Sequence, residues 1–259
     1  MNLLKRCIKG FYMSLGMFCG IPLPFHIWEE DYTPIMVTSL PLVGLLIGAI
    51  WWGVSLLFIT LSFPIMITAA ILTLTPFFIA GFIHLDGYMD TSDALLSRRP
   101  YEDKLRILKD SNVGAFAVVM LAILFLLQFA AIHTIIEYGS YLILLIVISV
   151  ISRCCSALSI FILRHMQGSN YAAMLGKSSG TAHKIFIIAI GVGIFALSFF
   201  TSGVLGVVVT LSVILGYAMA MRVVYREFKG VSGDLLGYSM VIGELCGLVA
   251  LALLVGRVG

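Results

Sequence analysis

Charged side chains are scarce in this sequence. Asp, Glu, Lys and Arg together make up 11% of its 259 residues, against about 25% in a typical soluble domain. Hydrophobic residues make up 61%, and a single soluble core cannot bury so large an apolar fraction. The composition therefore excludes an ordinary soluble protein and predicts an all-α, polytopic transmembrane helical bundle.

Several other features are missing. The formal charge of +3 and the lack of a basic low-complexity arm give no indication of nucleic-acid binding. No small-residue cleavage site follows a proper apolar core near the N-terminus, so we predict no cleaved signal peptide. The cysteines form no C-x-x-C pair and no metal-ligand spacing, which predicts free thiols in a reducing compartment. They are Cys7, Cys19, Cys154, Cys155 and Cys246.

Long apolar runs predict about seven membrane spans in a single integral-membrane domain, residues 1–259. An eighth span is added if the stretch 8–24 also crosses the membrane; it ends in a Pro22–Pro24 kink and fits an interfacial or re-entrant segment equally well. Very short turns near 63 and 202 predict two helical hairpins. The seven spans are 35–62, 64–83, 113–135, 139–163, 185–200, 203–221 and 238–256.

Three polar loops separate these spans, at 84–112, 164–184 and 222–237. Two spans lie between each loop and the next, so all three emerge on the same side. Their basic residues far outnumber those of the other side, which has almost none before Arg257. The positive-inside rule then places the three loops, and an active site formed by them, in the cytoplasm. The basic residues are Arg98, Arg99, Lys104, Arg106, Lys109, Arg164, Lys177, Lys184, Arg222, Arg226 and Lys229.

The first loop opens with the stretch HLDGYMDTSDALLSRRP, residues 84–100. If the preceding helix continues, or a new one starts near 86, Asp86, Asp90 and Asp93 project from one helix face. Their carboxylates repel each other, and no basic residue intervenes before Arg98. A bound Mg²⁺ would remove the repulsion, and it prefers a few carboxylates together with substrate phosphates. A solvated acidic face without metal is the alternative.

The stretch KDSNVGAF, residues 109–116, follows. Asp110 either joins the carboxylates or caps the next helix, and Ser111 and Asn112 are equally good caps. Basic groups beside an acidic metal site fit a phosphate-bearing ligand. The candidates for phosphate contact are Arg98, Arg99, Arg106 and Lys109.

Ionisable residues also occur in or near the later spans. Asp234 lies among glycines at the mouth of the last span, and Glu244 lies one or two turns inside it. Arg153 lies inside the fourth span. Such residues are functional candidates, and a structural Arg–carboxylate bond is the alternative for Arg153 and Glu244. On a regular helix His84 would point away from the acidic face, and it reaches substrate only if the backbone is irregular there.

HLDGYMDTSDAL, residues 84–95, resembles the cobalamin synthase family. The likeness continues at ILKDSNVGAF (107–116), at SRCCSALSIF (152–161) and at GVSGDLLGYSMVIGE (230–244), in the family's order along nearly the whole chain. Two departures touch packing beside the acids. Ala94 stands where family members usually have glycine, and Tyr88-Met89 replaces a more usual Leu-Ala.

The resemblance implies an integral-membrane adenosylcobinamide-GDP ribazoletransferase of the prokaryotic inner membrane, acting late in vitamin B12 synthesis. Such an enzyme transfers the cobinamide phosphate onto the ribose of α-ribazole, or of its 5′-phosphate, and GMP leaves. The resemblance also implies a requirement for Mg²⁺. A homo-oligomer, or association with other enzymes of cobalamin assembly, is compatible with it.

With this reaction, roles can be assigned as expectations. Asp86, Asp90 and Asp93 hold one or two Mg²⁺ ions on the pyrophosphate, and Asp93 accepts the hydroxyl proton. Asp110 and Asp234 complete the metal site or orient ribazole. The remaining expected substrate contacts are His84, Arg98, Arg106, Lys109, Ser111, Arg153, Lys229 and Glu244.

Two other functions fit parts of the pattern. CDP-alcohol phosphotransferases also use a D-G-rich aspartate motif on membrane helices, but their motif places an Ala-Arg pair soon after its first acids, and here no Arg precedes Arg98. A transporter would use Arg153 and Glu244 to line a path through the membrane. Transporters tend to hold substrate near the midplane, whereas this chain gathers its acids at one edge.

Overall fold

The computed structural model describes residues 3–138, 141–166 and 180–258. These ranges are helical and contain no strand beyond an isolated bridge between His165 and Val231. The all-α prediction is confirmed. In chain order the helices are α1 (Leu3–Phe18), α2 (Thr33–Thr38), α3 (Leu40–Thr60), α4 (Ile65–Ile79), α5 (Ile83–Leu96), α6 (Tyr101–Ile107), α7 (Ala115–Glu137), α8 (Leu144–Ile162), α9 (Thr181–Phe228) and α10 (Gly233–Val258).

Five of these helices are long and apolar enough to cross a membrane, namely α3, α7, α8, α9 and α10, and a sixth span results if α4 and α5 count together. The predicted polytopic bundle is therefore confirmed. Helix α9 has 48 residues but leaves helical geometry at Gly203. Its two legs fold back on each other. This is shown by Thr210 Oγ1, which lies 3.1 Å from Ser198 Oγ, whereas a straight helix would separate the two residues by about 18 Å. Helix α9 thus accounts for two predicted spans, joined by the predicted hairpin.

The predicted span 64–83 is broken in the structure, and of the two alternatives for the acidic stretch it is the new helix that forms. Helix α4 ends at Ile79, and α5 starts at Ile83 after a bend of 94°. Gly81 and Phe82 have φ of 65° and 61°, the left-handed region that breaks a helix. Since α4 has only 15 residues, it is about 22 Å long, less than the roughly 30 Å hydrocarbon core.

Other boundaries also differ from the prediction. The predicted span 35–62 contains a break at Ser39, between α2 and α3. The predicted loop 222–237 is only 229–232, because α9 and α10 both extend into it. In the second predicted loop, residues 167–179, including Lys177, lie outside the described ranges, as do residues 139 and 140 at the start of the fourth predicted span.

Helix α8 lies at the centre of the bundle, and 72% of the residues in its most apolar stretch are buried. Gly44 and Gly48 of α3 let α3 approach it closely, since a Cβ on either would come within 2.7 Å of α8 backbone atoms. Helix α1, with 16 residues, is not among the helices long enough to span. It packs against α2 and α3 and buries Met13 and Phe18. All five cysteines are free thiols, and Cys7 is exposed.

The three polar segments meet at one end of this bundle. Lys104 of α6 forms an ion pair of 2.6 Å with Glu227 of α9, and Tyr101 donates a hydrogen bond to the Phe228 carbonyl. The backbone amide of Val231 donates to the Arg164 carbonyl at 3.0 Å. These contacts place the start of α10 beside both the α5–α6 segment and the end of α8.

Candidate functional site

The three aspartates predicted to share a helix face lie on one continuous helix, α5. We call Asp86, Asp90 and Asp93 the acidic face. Asp86 is exposed, and Asp90 and Asp93 are partly buried. Asp234, in the first turn of α10, is a fourth carboxylate: its charge acts on Asp90 together with the charges of Asp86 and Asp93. Four negative groups therefore converge where α5 meets α10.

This convergence depends on close contact between α5 and α10. Gly87 packs against the backbone of Asp234, and a Cβ at Gly87 would lie 2.7 Å from the Asp234 Cα. The next residue, Tyr88, stacks on Tyr238, one turn after Asp234, with ring centroids 5.6 Å apart, and donates a hydrogen bond to the Met120 carbonyl of α7. The sequence D-G-Y thus supplies a carboxylate, the space for α10 and an aromatic anchor in consecutive positions.

Asp93 lies against the start of α7. A Cβ at Gly114 would fall 2.0 Å from an Asp93 carboxylate oxygen, so only glycine leaves room for this carboxylate. Helix α7 begins after Gly114, and the positive end of the helix dipole favours a negative charge there. No side chain forms a capping hydrogen bond at this helix, so the prediction that Asp110, Ser111 or Asn112 caps it is wrong.

Beside the acidic face lies an inner cavity of about 330 Å³. Its walls come from α1, α3, α5, α8 and α10, and most of its lining side chains are apolar. The polar groups in the lining are His84, Lys109, Ser156, Ser232 and Asp234. Lys109 is exposed, whereas His84 is 9% exposed. The cavity therefore has a largely apolar interior and a charged rim.

At the Asp93 end of the acidic face is an outer groove of about 430 Å³. Asp93, Arg99, Arg106 and Asp110 line it. Arg106 donates a hydrogen bond to Asp103 at 2.9 Å. Asp110 accepts hydrogen bonds from the backbone and side-chain amides of Asn112, which hold the pKa of Asp110 below its usual range. The groove thus combines guanidinium groups and carboxylates in an exposed setting.

The chain has clear relatives. A family model described as cobalamin-5-phosphate synthase matches residues 10–252. The chain belongs to the cobalamin-5-phosphate synthase family. No solved structure matches it.

Curated relatives agree with this assignment along almost their full length. A protein of Clostridium botulinum strain Alaska E43 is 36% identical over 96% of this chain and 99% of its own. One of Clostridium perfringens strain ATCC 13124 is 36% identical over 97% and 100%. One of Geobacillus kaustophilus is 30% identical over 93% and 94%. All three are named adenosylcobinamide-GDP ribazoletransferase.

In this cobalamin-5-phosphate synthase family member, the buried ion pair of the bundle is Arg153 with Glu244. Arg153 is 2% exposed; its Nη1 donates to Glu244 Oε1 and to the Ser149 carbonyl. Ser152 also donates to Glu244, at 2.7 Å. The structural Arg–carboxylate bond, which the sequence offered as an alternative, is therefore present, and it connects α8 to α10. A small void shared by both residues also touches His84.

Five expected substrate contacts line neither the inner cavity nor the outer groove: the paired Arg153 and Glu244, and also Arg98, Ser111 and Lys229. Arg98 and Ser111 are exposed. Lys229 ends α9 in the left-handed conformation, and its Nζ lies 4.4 Å above the Tyr101 ring. In this structure Lys229 therefore packs on α6 rather than facing the acids.

Some residues of the site were not predicted. Met17 and Phe18 of α1 line the inner cavity, and Ser156 and Ser232 add hydroxyl groups. Apolar residues on an N-terminal helix carry no sequence signal for a site. Gly114 had such a signal, since it lies in the stretch ILKDSNVGAF (107–116) that resembles the family, but its role became visible only from its contact with Asp93.

Proposed function

We propose that this protein transfers the cobinamide phosphate of adenosylcobinamide-GDP to α-ribazole or its 5′-phosphate, and that the transfer depends on Mg²⁺. The family match and the curated relatives support the transfer reaction. The convergence of Asp86, Asp90, Asp93 and Asp234 between a cavity and a basic groove is the observation that carries the proposal for this site.

The residues of the acidic face fit Mg²⁺. Within the described ranges, no three His, Cys, Asp or Glu side chains are close enough to hold an ion by themselves. Mg²⁺ usually takes only one or two carboxylates and fills its other positions with water and substrate phosphates. Asp86 and Asp90 would hold it, so the full ligand set would form only with the donor bound. When bound, the ion supplies stabilisation of the negative charge that develops on the phosphates.

The chain's own groups divide the remaining work. In the reaction, a ribose hydroxyl oxygen forms a bond to the cobinamide phosphorus, and the bond from that phosphorus to the bridging oxygen breaks, so that GMP leaves. Arg99 and Arg106 of the outer groove would hold the phosphates of the donor. Asp234, at the rim of the inner cavity, would orient the acceptor. Asp93, whose carboxylate packs against Gly114, remains the proposed acceptor of the hydroxyl proton.

The location of the reaction is part of the proposal. All the groups named above lie at the end of the bundle where the basic residues collect, which the positive-inside rule assigns to the cytoplasm. The protein would therefore act at the cytoplasmic face of the inner membrane, where nucleotide donors are available.

The test is release of GMP by purified protein in detergent or nanodiscs. We expect release from adenosylcobinamide-GDP only when α-ribazole and Mg²⁺ are both present. Asp86→Asn and Asp90→Asn should lower turnover about 100-fold or more and raise the Mg²⁺ concentration needed for half-maximal activity. Asp31→Asn, an exposed carboxylate in the turn before α2, is the control.

Two results would contradict the proposal. Wild-type turnover with unchanged Mg²⁺ dependence in both variants would remove the acidic face from the mechanism. Absence of GMP release by folded wild-type protein, with both substrates present, would reject the transfer reaction for this chain.

A further inference from the structure

His84 lines the inner cavity and carries a buried polar atom without a partner. His84 is nine-tenths buried, and its Nε2 has no hydrogen-bond partner among the described residues. Such atoms are uncommon in folded proteins, because burying one costs free energy that a hydrogen bond would recover. The ring is held in place by Phe18, which stacks on it at an interplanar angle of 19°. His84 lines both the inner cavity and the small void beside Arg153 and Glu244, so a ligand that enters the cavity lies against this ring.

The cavity's size favours one of the two substrates. At about 330 Å³, it lies at the lower end of the range for small-molecule sites, about 300–1,000 Å³. The corrin ring and nucleotide of the donor are far too large to enter it. A planar bicyclic base is small enough, and the apolar side chains of Met17, Leu40, Ile160 and Met240 suit its faces and edges.

Resting on the function proposed above, we propose that the inner cavity binds the benzimidazole base of the acceptor nucleoside, and that His84 Nε2 donates a hydrogen bond to the base's free ring nitrogen. That nitrogen is an acceptor, since the other ring nitrogen is bonded to ribose. The apolar walls replace water around the base, which stabilises binding. His84 is thereby a specificity-determining residue for the acceptor.

The same arrangement places the reacting end of the acceptor. Asp234 and the exposed Lys109 lie at the polar rim of the cavity, and the Asp234 charge reaches Asp90 of the acidic face. A nucleoside with its base inside the cavity therefore presents its ribose at the rim, between the acids and the basic side chain. The outer groove stays free for the phosphates of the donor.

An analogue of the acceptor tests the hydrogen bond without any mutation. The indole riboside has a C–H group where α-ribazole has its free ring nitrogen, and is otherwise nearly the same size. We expect wild-type protein to bind α-ribazole about tenfold or more tightly than the riboside that lacks its acceptor. Isothermal titration calorimetry without donor measures both affinities. Equal affinities would overturn the proposal.

Variants then identify the residue responsible. His84→Leu should remove the preference for benzimidazole over indole and raise the KM for α-ribazole about tenfold, with the KM for adenosylcobinamide-GDP unchanged. The control is His133→Leu, a half-exposed histidine near the far end of α7 that pairs with Glu137; it should keep the preference. A preference that persists in His84→Leu, or a rise in the donor KM instead, would overturn the proposal.

If His84→Leu does not fold, a second variant tests whether the inner cavity binds α-ribazole. Ser156, on α8, lines the cavity and is 2% exposed, so Ser156→Phe would fill part of the space. We expect it to abolish α-ribazole binding while binding of the donor persists, and retained α-ribazole binding would overturn the proposal. If wild-type protein binds α-ribazole with the expected preference but releases no GMP, the proposed function fails and the cavity assignment stands.

Discussion

Gly114 is the residue on which the position of the Asp93 carboxylate depends. A methyl group at 114 would overlap a carboxylate oxygen at 2.0 Å, so Asp93 must rotate away in a Gly114→Ala variant. We expect turnover to fall about 100-fold, because displacing a reacting group by about 1 Å has that effect. GMP release measures it.

The control for that variant is Gly193→Ala, in α9, where a Cβ meets nothing within 4 Å. Its turnover should match wild type. If Gly114→Ala also matches wild type while the protein is folded, the Asp93 carboxylate has no part in the reaction.

The buried ion pair of Arg153 and Glu244 stabilises the fold only while both partners are present. Glu244→Ala leaves the guanidinium charge buried and unpaired, and we expect a loss of about 3–5 kcal/mol of stability. Thermal unfolding in detergent should show a lower midpoint.

Replacement of both partners tests whether the pair is structural. The variant Arg153→Met with Glu244→Met removes both charges at similar volume and should recover most of the stability together with activity. A stable but inactive double variant would instead indicate that the pair contacts substrate.

At the scale of elements, helix breaks decide the shape of the site. The apolar run through residues 64–83 predicts one span, but the chain turns at Gly81 and Phe82. Gly81 packs against Gly20, and a Cβ on Gly20 would lie 2.7 Å from the Gly81 Cα. The glycine at 81 is one of 25 in the chain, so nothing local distinguishes it; the break depends on a contact with a distant segment. Without the bend, α5 would not cross α10 at Gly87.

Gly203 makes the second decisive break. Its φ of 57° and ψ of −140° are nearly inaccessible to other residues, which would carry a strain of about 1–3 kcal/mol. We therefore expect Gly203→Ala to lower the thermal unfolding midpoint and the yield of inserted protein. Gly193→Ala lies on the same helix without strain and should not lower either. Equal midpoints for wild type and Gly203→Ala would contradict the hairpin geometry.

At the scale of the whole molecule, the prediction concerns sidedness. The turn between α3 and α4, at Leu61, and helix α6, at Glu102, should lie on opposite sides of the membrane. In a background without the exposed Cys7, an impermeant thiol reagent should label Leu61→Cys in intact cells. It should label Glu102→Cys only after the cells are opened. Labelling of both from the same side would contradict the topology.

Much of this architecture could be predicted because it depends on local or statistical properties. Apolar runs longer than the bilayer core require helices, and the short turn near 202 required a hairpin. The spacing of Asp86, Asp90 and Asp93 fixed their common face as soon as α5 was helical. Extents of helices were less certain, since α9 and α10 extend into a segment whose charged residues suggested a loop.

The sequence by itself determined the class of the protein, the number of its long spans to within one or two, the acidic face and the family, because each of these follows from composition or from residues close together in the chain. Only the tertiary structure decided that Asp234 joins the acidic face, that Glu244 pairs with Arg153, and that Phe18 and His84 share a cavity wall. These are contacts between residues far apart in sequence. They exist because glycines at 87 and 114 and the bend at Gly81 bring helices into direct contact, and sequence periodicity cannot indicate which helices will meet.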